Sequence, residues 1–200
     1  MKGVILLKQV VNLLFICSLT MIFLSGCQLT GEREGDTELE QEAVEVGATI
    51  DEVIVTLINR EGMQVATATL SEQKTGGVKI KLEGNNLPPG VHGFHIHDRG
   101  ACVPPDFESA GGHYNPTNSK HGFDHPEGPH AGDLENITVA EDGTVSVELE
   151  APLVTLDPNG ENTLFTDEGT SLVIHTDSDD YISQPAGNAG VRIACGVIGK

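Results

Sequence analysis

Basic residues are scarce in this sequence. Its 200 residues include 11 lysines and arginines against 30 aspartates and glutamates, which gives a formal net charge of −19 at pH 7. A protein binds nucleic acid largely by neutralising phosphates with clustered lysine and arginine, and polybasic segments are what attract a protein to an anionic bilayer. The composition therefore excludes nucleic acid as a partner and excludes electrostatic binding to a membrane surface.

The sequence also lacks tryptophan and any convincing amphipathic helical pattern. From Thr49 onward, short segments alternate apolar and polar residues, as half-buried strands do, and turn residues separate them. Roughly eight short strands at such spacing predict an all-β, antiparallel sandwich or barrel over residues 49–200. The segments include 53–70 (two strands around a turn), 77–84, 91–97, 143–151, 170–175 and 191–198.

The first 27 residues have the pattern of an export signal. Lys2 and Lys8 precede an apolar run over 10–24, and the tetrapeptide LSGC ends at Cys27. The run is too short to favour a stable transmembrane span. LSGC resembles the bacterial lipobox, whose cysteine receives a diacylglyceryl group and becomes the first residue of the mature chain. We therefore expect a lipoprotein signal peptide over 1–27; an ordinary secretory peptide with an incidental cysteine and an uncleaved anchor are the alternatives.

An acidic segment over 28–48 follows the signal. Between Glu32 and Glu45 it carries seven acids against Arg33. With almost nothing apolar to bury, such a segment stays extended and solvated, although a short charged helix is the alternative. We expect a flexible tether that joins a lipid on Cys27 to the domain and leaves the protein outside the cytoplasm, anchored to the bacterial cell membrane.

Cysteine is scarce as well. Apart from Cys17 in the leader and Cys27, only Cys102 and Cys195 are present. Neither has a second cysteine nearby, which argues against a thiolate-rich zinc site. In an exported domain, two cysteines most simply form one disulfide; two free thiols and two metal ligands are the alternatives.

Histidines are concentrated in and beside two long segments, 98–133 and 176–190, that lack strand character. Structureless segments of this length in a compact domain are usually functional. In the predicted strand over 91–97, just before the first long segment, His95 and His97 share one face because alternate residues point the same way, whereas Phe94 would point to the core. Two such imidazoles, joined by a third from elsewhere, suit copper or zinc.

The second group of histidines lies within the first long segment, which is rich in glycine and proline. Nitrogen and carboxylate ligands in a tetrahedral arrangement are typical of zinc. Such a segment buries little apolar surface, and a metal could supply the energy that orders it. Its potential ligands are His113, His121, His125, His130 and Asp133.

Six motifs appear in order: GFHIH, SAGGHYNP, KHG, HAGDL, LVIHTDSDD and GNAGVRIACGVIG. Together they resemble the copper/zinc superoxide dismutase family over residues 53–199. The resemblance implies an eight-stranded Greek-key sandwich or flattened barrel with two long functional loops. It also implies one copper and one zinc per chain, and dismutation of superoxide to oxygen and hydrogen peroxide. Family members pair through different surfaces, so the resemblance allows a homodimer without identifying its interface.

The resemblance also assigns roles to individual residues. His113 would bridge the two ions and serve in catalysis, Asp179 would link His95 to His121, and Arg192 would sit over the copper and guide the anion. Cys102 and Cys195 match the disulfide of the family. The copper ligands implied are His95, His97, His113 and His175, and the zinc ligands implied are His113, His121, His130 and Asp133.

Several positions depart from the pattern. The stretch between Cys102 and His113, with its VPPDFE, is longer than in the animal enzymes and looks like the bacterial branch. The segment YISQPAGNAG before Arg192 lacks the charged group that shapes the attractive field in animal forms. His92 would face the core side as a hydrogen-bonded structural residue, and His125 would be solvated or would substitute at zinc.

Two other function classes fit parts of the sequence. A surface protein that buffers copper or zinc without turnover would need the same ligands, but it would not need Arg192. A structural adhesion domain would need no histidine cluster, since a sandwich fold by itself implies no function.

Replacing Cys27 tests the predicted anchor. We expect Cys27→Ser protein, expressed in a bacterial host, to leave the membrane fraction and to take up no labelled fatty acid, because the thioether to the diacylglyceryl group cannot form. Two acyl chains anchor stably, so the shift should be nearly complete. Labelled Cys27→Ser protein that still partitions with membranes would contradict the prediction.

Overall fold

A computed structural model of the protein describes residues 50–199. The sole helical element in this range is a short 3-10 turn, Glu108–Ala110, and no helix here is long and apolar enough to cross a membrane. The predicted leader, Cys27 and the predicted tether lie outside the described residues. The strands are β1 (Glu52–Asn59), β2 (Gln64–Glu72), β3 (Val78–Gly84), β4 (Gly90–His92), β5 (Phe94–His97), β6 (Ile137–Val139), β7 (Val145–Ala151), β8 (Thr170–His175) and β9 (Arg192–Gly199).

Seven of these strands form one sheet in the order β5-β8-β9-β1-β2-β3-β7, and β4 and β6 form a second, two-stranded sheet. The strand pairs are antiparallel. Phe94 on the edge strand β5 and Leu149 on the opposite edge strand β7 belong to the same buried cluster. The sheet therefore curls around its main core, and the all-β antiparallel fold predicted from the sequence is confirmed.

The strand predicted over 91–97 is two strands in the structure. Gly93 divides it, because its N–H donates to Asp177 O (2.8 Å) and its carbonyl accepts from His175 N (2.9 Å). As a result β4 pairs with β6, whereas β5 pairs with β8. The strand β6 was not among the predicted segments, since three residues are too few to show alternation. Nine strands thus stand where about eight were expected.

Strands β5 and β8 are buried along their whole length. Phe94 and Ile96 of β5 lie in the main core. Because alternate residues point to opposite faces, His95 and His97 lie on the outer face of the sheet, as predicted. Their burial, at 0% and 1% exposed, means that something else covers this outer face.

Two loops cover it: the long loop (residues 98–136) and the short loop (residues 176–191). A disulfide between Cys102 and Cys195, with Cα atoms 5.6 Å apart, ties the long loop to β9 and confirms the predicted pairing. Beside it, the ring of Phe107 is fully buried in a second apolar cluster on the outer face of the sheet. The two long segments that lacked strand character are therefore the cover of β5 and β8.

The long loop also returns to the edge of β5 that no strand occupies. Isolated antiparallel bridges place His113 opposite His97 and Asp133 opposite His95. Both backbone groups of Ile96, the residue between the two histidines, are hydrogen-bonded to this loop at 2.8 Å. Backbone pairing thus brings candidate ligands from the loop against candidate ligands on the strand.

Candidate metal centre

Four buried histidines converge on the outer face of β5 and β8. One ligand nitrogen from each lies within 4.8 Å of those of the others, and the set is His95, His97, His113 and His175. The structure therefore brings together all four residues for which the sequence predicted a copper site.

In each of these rings, one nitrogen is held by a protein acceptor and the other is left free. His95 donates from Nε2 to the Asp179 carboxylate (2.7 Å), and its Nδ1 is buried without a hydrogen-bond partner. His97 donates from Nδ1 to Gly111 O (3.1 Å), and the Nδ1 of His175 lies 3.4 Å from a backbone carbonyl. The free Nε2 atoms of His97 and His175 are then only 3.4 Å apart. Lone pairs directed at one point are what a bound cation requires, so this group fits copper.

A second buried group adjoins the first through His113. Its ring nitrogens surround one carboxylate oxygen: the Nδ1 atoms of His113, His121 and His130 lie 2.9, 3.0 and 3.2 Å from Asp133 Oδ1. Three N–H groups exceed the roughly two lone pairs of a single carboxylate oxygen. Three nitrogens and one oxygen around a shared cation, by contrast, form the tetrahedral ligand set of zinc.

The other oxygen of Asp133 is held by the backbone. Its Oδ2 accepts from Gly122 N (2.8 Å) and His130 N (2.9 Å). Although burial raises the pKa of Asp133, the hydrogen bonds from the three histidines and from Gly122 outweigh it and hold the pKa well below its usual range. Asp133 is therefore an ionised candidate ligand with a fixed orientation.

His113 belongs to both groups. Its Nδ1 faces Asp133, whereas its Nε2 is buried without a hydrogen-bond partner. One imidazole thus presents one nitrogen to each of the two groups.

Asp179, in the short loop, joins the two groups from behind. Its carboxylate oxygens accept from His95 Nε2 (2.7 Å) and His121 Nε2 (3.0 Å), and one of them also accepts from Tyr181 N (2.7 Å). Gly187 packs against this carboxylate so closely that a Cβ there would overlap it, and its φ of +65° also favours glycine. A buried carboxylate that orients two ligand rings fixes their tautomers.

The pKa values of the histidines separate into two kinds. Burial and the neighbouring histidine charges lower the pKa of His97 well below its usual value, and lower those of His113 and His175 to about 3. These rings are neutral at pH 7, which is the form that binds metal. Burial also lowers the pKa of His121, but hydrogen bonds to Asp133 and Asp179 outweigh it and raise that pKa to about 9.

A cavity of about 270 Å³ opens onto the four-histidine group. Its walls include His97, His113 and His175, together with Pro185, Ala186 and Arg192. The guanidinium of Arg192 donates to the carbonyls of Phe107 and Gly111. The long loop therefore holds a fixed positive charge at the cavity wall, where an anion would enter.

The two remaining candidates lie outside both ligand groups. His92 is buried, and its ring nitrogens each lie 2.8 Å from a backbone carbonyl, those of His175 and Pro88; it supports the backbone of His175, in agreement with its predicted structural role. His125 is half-buried, and its Nδ1 accepts from Glu127 N (3.1 Å).

Sequence reasoning missed two amides that support the site. Asn136 makes hydrogen bonds with both backbone groups of Asp179, at 2.8 and 2.9 Å. Gln184 does the same for His121. Each amide lies in a loop, where no periodicity distinguishes it from other polar residues.

Known proteins are similar to this chain in sequence and in fold. Residues 65–198 match the family model described as copper/zinc superoxide dismutase. "Superoxide dismutase [Cu-Zn] 1" of Aquifex aeolicus is 53% identical over 143 residues, covering 71% of this chain and 84% of the relative. The chain belongs to the copper/zinc superoxide dismutase family. Copper and zinc are accordingly its cofactors, superoxide is its substrate, and the chain is a superoxide dismutase.

Other proteins are similar over more of the chain or in structure. "Superoxide dismutase-like protein YojM" of Bacillus subtilis is 40% identical over 189 residues, covering 94% of this chain and 95% of the relative. The crystal structure of a SOD-like protein from Bacillus subtilis matches with a TM-score of 0.70 at 44% identity, covering 72% of this chain and 97% of that one. Cu/Zn superoxide dismutase from Brucella abortus matches with a TM-score of 0.61 at 34% identity, covering 74% of this chain and 99% of that one.

The charge on His121 predicts proton release when zinc binds to the metal-free protein. With a pKa of about 9, His121 is protonated at neutral pH and must lose about one proton to become a ligand. Because the pKa of His121 is higher in the folded than in the unfolded chain, protonated His121 stabilises the metal-free domain. This stabilisation is complete below about pH 6.5 and is lost as the pH rises through about 9. The observed heat of zinc binding near pH 7 should therefore differ between two buffers of different ionisation enthalpy, because the buffer takes up the released proton. Identical heats in the two buffers would contradict a protonated His121 in the metal-free protein.

Proposed function

We propose that dismutation takes place at a copper ion held by four histidines, and that a zinc ion beside it shares one of these ligands. The copper ligands are His95, His97, His113 and His175, and the zinc ligands are His113, His121, His130 and Asp133. The observation that carries this proposal is the position of His113, whose two ring nitrogens face different ligand groups.

When bound, copper supplies the one-electron oxidation and reduction of superoxide, whereas zinc, which has no redox chemistry, contributes charge and structure. The two half-reactions together consume two superoxide anions and two protons and yield oxygen and hydrogen peroxide. Histidine side chains position the reaction, and Asp179 keeps His95 in the tautomer that leaves Nδ1 free.

His113 is the residue suited to move a proton. Its Nδ1 faces Asp133 and the proposed zinc position, so the ring atom left to gain or lose a proton is Nε2, which is buried without a hydrogen-bond partner. That atom lies beside the cavity through which substrate enters. Nε2 would hold a proton only while it does not ligate copper, and that proton would then lie at the wall of the cavity, where reduced substrate could take it up.

Arg192 supplies the local positive charge that attracts the anion. The chain is strongly acidic overall. Burial lowers the pKa of Arg192, whereas the nearby carboxylates of Glu108, Asp106 and Asp98 raise it. Exposed charges more than about 10 Å away are screened by salt, and the three nearby acids do not line the cavity, so the guanidinium at the cavity wall is the charge that an entering anion meets most directly.

The proposed location is outside the cytoplasmic membrane, with a lipid on Cys27 as the anchor and residues 28–48 as the tether. The leader pattern and the lipobox-like LSGC support this location. The Cys102–Cys195 disulfide agrees with it, since disulfides persist in oxidising compartments. The homodimer that the family resemblance allows stays a prediction.

Metal content and activity, measured on one sample, test the proposed function. We expect the chain from Gln28 to Lys200, reconstituted with both metals, to hold one copper and one zinc and to dismutate superoxide in a reaction that cyanide inhibits. His97→Ala should abolish the activity because it removes a copper ligand. Zinc alone, or both metals without turnover, would indicate a metal-buffering protein instead.

The proposed role of Arg192 can be tested separately. Arg192→Ala should lower the second-order rate constant for superoxide by about tenfold, since the local attraction is lost, while copper and zinc contents stay unchanged. Lys79→Ala, on the distant strand β3, is the matched control and should leave the rate unaltered. An unchanged rate in Arg192→Ala would place steering elsewhere, for instance at Lys120 in the long loop.

A further inference from the structure

The side chain of Gln184, in the short loop, uses all of its polar atoms on two neighbouring backbone segments. Its Oε1 accepts from His121 N (3.0 Å), and its Nε2 donates to His121 O (2.9 Å) and to Ile182 O (2.9 Å). The amide thus pairs with the backbone of His121 much as a neighbouring strand would.

His121 depends on this pairing. The residue is fully buried, and among residues 50–199 its peptide N–H and carbonyl make no hydrogen bond other than those to Gln184. Leaving a buried peptide group unpaired costs free energy, so losing the amide would strain the ligand's own backbone.

The residues that follow Gln184 form part of the cavity wall. Pro185 and Ala186 line the cavity over the four-histidine group, together with Arg192. One side chain therefore connects the backbone of a zinc-group histidine to the wall of the cavity that serves the copper group.

We propose that Gln184 is a positioning residue with two effects. It fixes the backbone of His121 in the orientation that zinc binding requires. Through the adjoining Pro185 and Ala186, it also couples the position of the long loop to the shape of the cavity by which an anion reaches the copper. This inference rests on the proposed ligand sets. It adds to them a specific route by which zinc binding in the long loop shapes the copper cavity in the short loop.

The effect of losing Gln184 should be partial, because other contacts join the two loops. Asp124 N donates to Tyr181 O (3.0 Å), and Asp179 still accepts from His121 (3.0 Å). Outer residues that orient a metal ligand typically change metal affinity by about ten- to a hundredfold. We therefore expect a change near the lower end of that range.

The experiment compares Gln184→Leu and Gln184→Glu with the parent, all loaded with copper and zinc. Gln184→Leu removes every hydrogen bond, whereas Gln184→Glu keeps an acceptor for His121 N and loses the donors. Gln64→Leu, at an exposed position on β2, is the matched control. The readouts are the rate of zinc release to a chelator, the visible spectrum of cobalt(II) placed in the zinc site, and the affinity of azide for the copper(II) form.

We expect Gln184→Leu to release zinc about tenfold faster, to alter the cobalt spectrum and to change azide affinity several-fold, with Gln184→Glu intermediate and Gln64→Leu equal to the parent. If Gln184→Leu does not fold, Gln184→Glu decides the question alone. Zinc release and azide affinity equal to the parent in the folded variants would overturn the inference. Faster zinc release with unchanged azide affinity would overturn the link to the copper cavity.

The same measurements separate this inference from the proposed function. A parent protein that binds both metals and dismutates superoxide, with variants that match it, refutes the role of Gln184 alone. A parent that retains no zinc overturns the proposed ligand sets and this inference together.

Discussion

The site depends on one constraint: several imidazoles and two carboxylates are buried together, and their polar atoms can be satisfied only in combination. A buried polar group without a partner is costly, and here the partners are other members of the same cluster. Asp133 and Asp179 each accept from more than one ring. Among residues 50–199, the two buried ring nitrogens that remain without a partner, His95 Nδ1 and His113 Nε2, both belong to histidines of the copper group. The two loops that cover β5, and the disulfide that ties the long loop to β9, hold these polar groups together.

Much of this arrangement was predictable from the sequence, because apolar and polar residues alternate along most of the strands. Alternation in β5 places Phe94 and Ile96 in the core and leaves His95 and His97 on the other face, as the structure shows. The break at Gly93 was not predictable, since it arises from hydrogen bonds to the short loop and to β8 rather than from the local pattern. The short strand β6 was missed because its three residues are too few to show alternation, and only its pairing with β4 defines it as a strand.

The orientation of the ligand rings was beyond the reach of the sequence. For His97 and His175, the acceptors that face Nδ1 are backbone carbonyls of Gly111 and Gly190, and every residue has such a carbonyl. The supporting amides Asn136 and Gln184 lie in loops whose path is set by tertiary contacts. Motif resemblance selected residues that the structure brings together, because the motifs specify side chains, whereas the orientation of the rings depends also on backbone atoms.

The burial of β5 and β8 on both faces has a consequence for how the protein is assembled. Their inner faces belong to the main core, which also contains Tyr114, Ala131 and Leu134 of the long loop, whereas the histidines of these two strands lie on the outer faces, under the loops. The long loop therefore contributes both to the apolar core and to the candidate ligand groups, so packing of the core and assembly of the metal site are coupled.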